Sequence, residues 1–245
     1  MIFNEPSAVA LPGGRTASAV GAAGPADVAR AVEALAVGGP HPVVTVVGGA
    51  DGLVGPQLAL AATIFAEAIA PAIRAHGAAA VDGGTDSGVM GLLGRARRAG
   101  SPFPLIGVVA LGTVHLPGHP AAGTATLEPN HSHFVLVPGA QWGDEAPYLP
   151  LVTDAVAGHR PAVTILIDGG EVSFEDAAYA IAHHRPLFVL GGTGRTADRI
   201  AAAVADPAGC RDERAATIAR SPLVRVVDAT DSRAIAAGLD EILAR

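Results

Sequence analysis

Four apolar runs in the chain end in a pair of glycines that is closely followed by Ser, Thr or Asp. The four stretches are VVTVVGGADG (43–52), AAAVDGGTDSG (78–88), VTILIDGGEVS (163–173) and LFVLGGTGRTAD (187–198). Glycine adopts positive φ and lets a ligand approach the main chain, and the first N–H groups of a following helix are unpaired at the positive end of its dipole. Such turns suit a phosphate-bearing ligand. The alternative is that they are ordinary helix-capping turns.

The last of these junctions also carries an arginine. Residues 192–197 fit the pattern G-x-G-x-x-A of dinucleotide-binding turns. In such proteins an acidic residue usually follows the pattern by about 20 residues, and here the corresponding residue, Asp228, is farther away. An arginine in the first turn of a helix opposes the helix dipole, so a phosphate partner is expected for Arg195, with a solvated side chain as the alternative. The predicted ligand-binding residues are Gly48, Gly49, Gly83, Gly84, Thr85, Ser87, Gly88, His133, Gly169, Gly170, Ser173, Gly192, Thr193, Gly194 and Arg195.

Two histidines are spaced for a different chemistry. His131 and His133 form an H-x-H pair, which on a strand would put both imidazoles on one face and could bind zinc, with Asp144 and Glu145 as further ligands. A metal hydrolase is therefore an alternative. The preferred prediction has no metal and places His133 in the wall of the ligand site. Trp142 and Tyr148 could stack on a base or cover the core.

The elements that would position these residues alternate along the chain. Predicted strands are Val43–Val47, Ala78–Val81, Leu105–Val109, His133–Val137, Val163–Ile167, Leu187–Leu190 and Val224–Val227. Predicted helices are Ala26–Ala36, Pro56–His76, Gly88–Ala99, Tyr148–Ala157, Phe174–His183, Thr196–Ala205 and Ser232–Leu243. Continuous apolar strands between helices predict a doubly wound, Rossmann-like parallel sheet of about seven strands. All four glycine turns would then lie at one edge. The long irregular segment Gly112–Asn130 is a candidate functional loop.

Composition excludes several classes of function. The chain has 245 residues, 50% of them hydrophobic, and a net charge of −7, which argues against a general nucleic-acid or membrane binder and predicts one domain over 1–245. All 16 basic residues are arginine, so there is no Walker A lysine and no Schiff-base lysine. One cysteine, Cys210, and no secretory signal predict a cytoplasmic protein. The apolar segment Leu58–Ile73 is interrupted by Glu67 and Pro71 and is predicted to be a buried helix too short to span a membrane.

Five motifs together carry a family resemblance. They are GGTDSGVM (83–90), PLIGVV (104–109), LEPNHSHFVLV (127–137), TILIDGG (164–170) and GGTGRTAD (191–198). Their order and spacing over roughly residues 40–205 resemble the prokaryotic SLOG domains related to the N-terminal cytoplasmic domain of TRPM cation channels. The resemblance implies a nucleotide-binding fold without a required cofactor, a ligand such as ADP-ribose or its cyclic form, and a ligand-contacting role for Arg195.

The wider superfamily implies an enzymatic alternative. Its phosphoribohydrolases carry P-G-G-x-G-T-x-x-E, whereas this chain has DGGEVSFED at 168–176, with Asp168 for Pro, Val172 for the third Gly and Asp176 at the Glu position. Glu175 or Asp176 could serve in N-glycosidic cleavage, or both could simply favour the start of a helix. The favoured function is a nucleotide sensor that acts through a homo-oligomer or a separately encoded effector, with a nucleotide N-glycosidase as the alternative.

Overall fold

The computed structural model describes residues 5–50, 53–116 and 125–245, whose strands form one nine-stranded sheet. The strands are β1 (Ser7–Leu11), β2 (Arg15–Gly21), β3 (Val43–Gly48), β4 (Ala79–Asp82), β5 (Leu105–Ala110), β6 (His133–Val137), β7 (Ala162–Ile167), β8 (Leu187–Gly191) and β9 (Val224–Asp228). Their order across the sheet is β1-β2-β6-β5-β4-β3-β7-β8-β9. Only the edge pair β1–β2 is antiparallel among these neighbours.

Helices cover both faces of this sheet. They are α1 (Val28–Ala34), α2 (Gly55–Ile64), α3 (Ala70–Ala75), α4 (Gly88–Arg98), α5 (Leu149–Ala157), α6 (Val172–Ala182), α7 (Arg195–Ala205), α8 (Glu213–Ala219) and α9 (Ser232–Leu243). Helices α2, α3, α4 and α9 pack on one face, and α1 and α5 to α8 pack on the other. Successive residues of one strand enter different cores, since Val44 and Val46 face the first group of helices and Val43 and Val47 face the second. This double burial explains the continuous apolar runs.

The predicted fold class is confirmed, and all seven predicted strands occur within about one residue of their predicted bounds. Two strands and one helix were not predicted. Strands β1 and β2 form a hairpin whose turn contains Gly13 and Gly14, at φ of 74° and 73°. Their sequences SAVAL and RTASAVG are short and rich in small residues. Helix α8, with the sequence ERAATIA, buries only Ala215 and Ile218.

The predicted helix Pro56–His76 is a single helical run, Gly55–Ala75, with a π-helical turn at Phe65–Ile69. The π-turn ends just before Pro71, which lacks the N–H of a regular α-helical turn. The run has 21 residues, so by length and hydropathy it could span a membrane, contrary to the expectation that it is too short. Its buried residues Ile64, Phe65, Ile69 and Ile73 belong to the core of the sheet. This packing explains its apolar character.

The described parts of the segment predicted as one irregular loop, Gly112–Asn130, pack against the sheet. Residues 117–124 lie outside the described residues. On either side of them, Val114 pairs with Ala125 in a parallel bridge, and Leu127 pairs with Thr85 in an antiparallel bridge. Residues Leu116 and Leu127 are buried in a small core with β1, β2, β5 and β6. The end of the segment is therefore fixed beside the turn that follows β4.

Candidate functional site

The four glycine junctions lie side by side at the carboxyl edge of the sheet. They follow β4, β3, β7 and β8, which are parallel neighbours in that order. From β3 the chain proceeds through β4 and β5 in one direction, and after β6 it returns to place β7 on the other side of β3. The boundary between β3 and β7 is therefore the topological switch point, where doubly wound sheets bind their ligands.

A cavity of about 620 Å³ opens at this switch point. Its volume falls in the range that holds small-molecule ligands, roughly 300–1,000 Å³. The turns after β3, β4 and β7, the loop between β6 and α5, and the segment at Ala125 contribute to its wall. The predicted ligand-binding residues that line it are Gly48, Gly83, Thr85, Ser87, Gly170, Ser173 and Arg195. Seven of the fifteen predicted ligand-binding residues thus line the cavity, and most of the rest of its wall was not predicted to bind the ligand.

The remaining predicted glycines do not line the cavity. Gly84, at φ +69°, packs against β5, and a Cβ there would come within 2.9 Å of the Cα of Gly107. Gly88, at φ +44°, lies against the main chain of Gly49, and a Cβ there would be 1.8 Å from the Gly49 carbonyl oxygen. The N–H of Val89 donates to that same oxygen at 3.1 Å. These glycines allow the turns after β3 and β4 to pack closely, and Gly83, Thr85 and Ser87 face the ligand space.

Arg195 is held by a carboxylate. Its Nε donates to Asp168 Oδ1 at 2.9 Å, and its Nη2 also pairs with Oδ2 of the same residue. Asp168 is buried and Arg195 is about 43% exposed, and both have positive φ, 57° and 38°. The sequence did not predict this carboxylate partner for Arg195, whose contact with a phosphate stays a prediction. Arg195 nevertheless forms part of the cavity wall.

The start of α7 joins two turns of the rim. The N–H of Thr196 donates to the carbonyl of Gly169 at 3.3 Å, and that of Ala197 donates to the carbonyl of Asp168 at 2.9 Å. The N–H of Asp168 donates to the hydroxyl of Thr193 at 2.8 Å. These bonds engage helix amides that were predicted to bind phosphate. Gly169, Gly192, Thr193 and Gly194 accordingly lie outside the cavity and connect the turn after β7 to that after β8.

The cavity wall is also rich in carboxylates. It contains Asp86, Glu145, Glu171 and Asp176. Burial, with smaller contributions from the neighbouring carboxylates Glu145 and Glu175, raises the pKa of Asp176 to about 8. Burial, with a smaller contribution from Asp144, also raises the pKa of Glu145. Because a raised pKa keeps a carboxyl protonated to higher pH, Asp176 is largely neutral at pH 7.

The structure separates the two acids that the sequence placed together on α6. Asp176 lines the cavity and is only partly accessible, whereas Glu175 is exposed and lies outside it.

The two aromatic candidates also differ. Trp142 lines the cavity with about 53% of its surface exposed, whereas Tyr148 is buried in the core beneath α5.

The histidine pair lies at the beginning of β6, which is level with the end of β4. His131 precedes β6 and is fully buried, with Nε2 2.7 Å from Asp82 Oδ1 and Nδ1 2.8 Å from Glu128 Oε2. Although burial alone would lower it, these two carboxylates raise the pKa of His131 to about 9. His133 begins β6 beside Ser132, and burial together with the charge of Arg97 lowers its pKa.

The proposed zinc ligands are not brought together. Asp144 and Glu145 follow the carboxyl end of β6, whereas His131 and His133 lie at its beginning, so a five-residue strand of about 16 Å separates the two pairs. The imidazole of His131 is also already bonded on both nitrogens. The predicted contact of His133 with a ligand at the glycine rim has no counterpart, because His133 is not in the cavity wall.

Together, the doubly wound sheet and the cavity at its switch point define an α/β ligand-binding domain. The sequence profile of the family described as "SLOG in TRPM, prokaryote" matches residues 41–237, and the chain belongs to this family. The chain is also similar to transient receptor potential cation channel subfamily M member 2. It is 29% identical to the protein of Rattus norvegicus over 183 residues, 59% of this chain, and 30% identical to that of Mus musculus over 200 residues, 66% of this chain. It spans only 12% and 13% of the length of these relatives.

Two solved structures share the fold. The molybdenum cofactor carrier protein of Chlamydomonas reinhardtii matches with a TM-score of 0.54 and 16% identity, covering 84% of this chain and 99% of that one. The structural-genomics target TM1055 matches with a TM-score of 0.56 and 19% identity, covering 82% of this chain and 99% of that one. These likenesses support the Rossmann-like architecture.

Proposed function

We propose that this domain binds a nucleotide derived from NAD, such as ADP-ribose or its cyclic form, in the switch-point cavity and acts as a ligand sensor. The observation that carries the proposal is the composition of the cavity wall. The wall contains glycine turns with the hydroxyls of Thr85, Ser87 and Ser173, and the guanidinium of Arg195. It also carries carboxylates and Trp142. A nucleotide offers matching groups, since phosphates suit the first set, and ribose hydroxyls and a flat base suit the second.

Family membership supports the same assignment. The curated relatives are cation channels, and this chain corresponds to about an eighth of their length. A domain that responds to a ligand in such a protein must pass the signal to another part of it. We therefore propose that this chain acts in the cytoplasm, either as a homo-oligomer or with a separately encoded effector protein.

A cavity-filling substitution tests the proposal without removing a charge. A Cβ on Gly170 would meet nothing closer than the Nη1 of Arg195 at 3.8 Å, and the residue has no positive φ. Gly170→Leu should therefore fold and occupy the ligand space. Gly39→Leu is the matched control, because Gly39 is exposed and a Cβ there meets nothing within 4 Å.

The measurement is thermal unfolding of the protein with ADP-ribose, cyclic ADP-ribose, NAD, AMP and ATP. A ligand that binds only the folded state raises the melting temperature by mass action. We expect a rise with an NAD-derived nucleotide for the natural protein and Gly39→Leu, and none for Gly170→Leu. No rise with any nucleotide, or an equal rise in Gly170→Leu, would refute binding at this site.

A second candidate, a nucleotide N-glycosidase, is favoured by one observation, the position in the cavity wall of Glu145 and of Asp176, whose pKa is raised by burial. In this reaction water adds to C1′ of the ribose as the C1′–N bond breaks, giving the free base and the ribose phosphate. Asp176 would donate its proton to the departing base, and Glu145 would accept a proton from the water. Chromatography of a nucleotide incubated with the protein tests for free base. Asp176→Asn should abolish its release, whereas loss in Glu175→Gln alone would assign the reaction to the exposed acid.

A further inference from the structure

The charge of the switch-point cavity is poorly matched to a ligand that is anionic throughout. Among the residues that the structure describes, Arg195 is the one cation in the cavity wall, and it is paired with Asp168. Glu171 is paired on the outer surface with Arg199 and Arg214. No arginine or histidine within residues 5–50, 53–116 and 125–245 lies within 4 Å of the carboxylates of Glu145 or Asp176. These two residues, the acid pair, face the cavity without a counterion in the part of the chain that the structure describes.

The arginine beneath the acid pair is engaged by a different carboxylate. Asp176 shares a small internal cavity with Arg185, beneath the main one. The guanidinium of Arg185 is paired with Asp154, which also binds His183. Burial and the proximity of Glu145 both oppose ionisation of Asp176. A positive charge placed in the main cavity would remove this opposition, because opposite charges within a few ångströms stabilise each other's ionised forms.

The loop that supplies Glu145 also supplies an aromatic surface. Trp142 lies three residues before Glu145, and the N–H of the intervening Gly143 donates to Glu145 Oε2 at 3.1 Å. Trp142 exposes about 53% of its surface although it lines a cavity, which is unusual for the largest aromatic side chain. An indole face combined with carboxylates favours a flat cation, since the ring attracts positive charge and the acids neutralise it.

We propose that the cavity selects nucleotides whose base is a positively charged ring of the pyridinium type, bound at Trp142 against the acid pair. The proposal rests on the proposed function, because it names the chemical class of nucleotide for the same site. The phosphate of such a ligand would lie among the glycine turns near Arg195. A nucleotide of this class carries its positive and negative charges at separate ends, and the cavity lining offers both carboxylates and a guanidinium.

Two probes that differ by one hydride, and so chiefly in the charge of the ring, test this inference. Nicotinamide mononucleotide has a cationic pyridinium ring, and its reduced dihydro form has the same ribose and phosphate with a neutral ring. Isothermal titration should give at least tenfold tighter binding of the cationic form. Glu145→Gln keeps an oxygen acceptor for the Gly143 N–H and removes the charge, so the preference should fall below threefold. Glu33→Gln, an exposed change on α1, should retain the preference.

The possible outcomes separate this inference from the proposed function. Equal affinity for the two mononucleotides, or tighter binding of the neutral ring, would overturn the ring preference and leave nucleotide binding intact. A preference that persists in Glu145→Gln would also overturn it, because the acid pair would not be the cause. Failure of both mononucleotides and of ADP-ribose to bind would overturn the proposed function together with the inference. Melting temperatures of the unliganded variants establish that each is folded.

Discussion

The imidazole of His131 and the carboxylate of Asp82 are hydrogen-bonded at 2.7 Å with no exposure of either side chain to solvent. Asp82 uses the same oxygen to accept the N–H of Gly84 at 2.7 Å. On the other side of the ring, Glu128 bonds Nδ1, and its own N–H donates to the carbonyl of Gly84 at 2.9 Å. Although His131 does not line the cavity, it therefore helps to fix the glycine turn that forms part of the cavity wall.

Removal of this imidazole should destabilise the protein strongly. In His131→Leu the carboxylates of Asp82 and Glu128 stay buried without their shared partner, and breaking a buried pair in this way typically costs about 3–5 kcal/mol. The free energy of unfolding in urea measures the effect. His133→Leu is the control, because His133 is only half-buried and its side chain bonds a neighbouring serine, so a loss of about 1 kcal/mol is expected. Equal losses in the two variants would contradict a special role for His131.

Stability should fall as the pH rises toward 9. The folded pKa of His131, about 9, is above its usual value of 6.5, so its stabilising charge is fully present below pH 6.5 and is lost as pH rises through 9. Unfolding free energies measured from pH 6 to pH 9.5 should decline over this window in the natural protein. The decline should be smaller in His131→Leu. An identical slope in both proteins would show that another group is responsible.

The fold was predictable because its central strands are buried on both faces. Runs such as Val43–Val47 have no polar face and are bounded by glycine turns, so both their type and their ends are visible in the sequence. The edge hairpin β1–β2 carries Ser, Thr and Ala and has only a few buried positions. The short helix α8 buries only two residues. These peripheral elements depend on tertiary contacts, which local patterns do not encode.

The glycine wall of the site was also predictable, but the role of each glycine was not. Gly83 and Gly84 are identical neighbours in the sequence, yet the first faces the cavity and the second lies against β5. Likewise, the position of Arg195 predicted a cation for an anionic ligand, and only the three-dimensional structure brings Asp168 onto it. Asp176 and Glu145 were named for separate roles, as a catalytic acid and a zinc ligand, and their common location was not predicted because they come from separate parts of the chain.

Alanine at two glycines of α4 should have opposite consequences. A Cβ on Gly94 would lie 2.1 Å from the carboxyl carbon of Glu128, which His131 and Asn130 hold in place. Gly94→Ala should therefore cost about 1–3 kcal/mol through overpacking. In Gly91→Ala the nearest atoms are side-chain ends of Arg95 and Asp86 at 3.1 and 3.3 Å, which can move. That variant should gain up to about 1 kcal/mol from helix propensity. Urea unfolding of the two variants measures the difference, and a gain in both would argue against close packing of Glu128 on α4.

Asp176→Asn should stabilise the protein near pH 8. Because the folded pKa of Asp176, about 8, exceeds its usual value of 3.8, the folded state loses stability as the pH rises from 4 to 8. Asparagine is uncharged and of similar size, so it removes this loss. We expect the melting temperature of Asp176→Asn to exceed that of the natural protein at pH 8 and to approach it at pH 4. A lower melting temperature at pH 8 would indicate that the carboxylate makes a stabilising contact.

The pair Arg195–Asp168 should behave as one unit in a double-mutant cycle. Arg195→Ala leaves the buried carboxylate of Asp168 without its charge partner and should cost about 2 kcal/mol, less than a fully buried pair because the arginine is partly exposed. Asp168→Asn keeps a residue that tolerates the positive φ of this position. With that change already made, Arg195→Ala should cost less than it does in the natural protein. Fully additive losses would show that the two side chains do not stabilise each other. Coupled losses would mean that Arg195→Ala disturbs the wall itself, so that Gly170→Leu is the cleaner test of ligand binding.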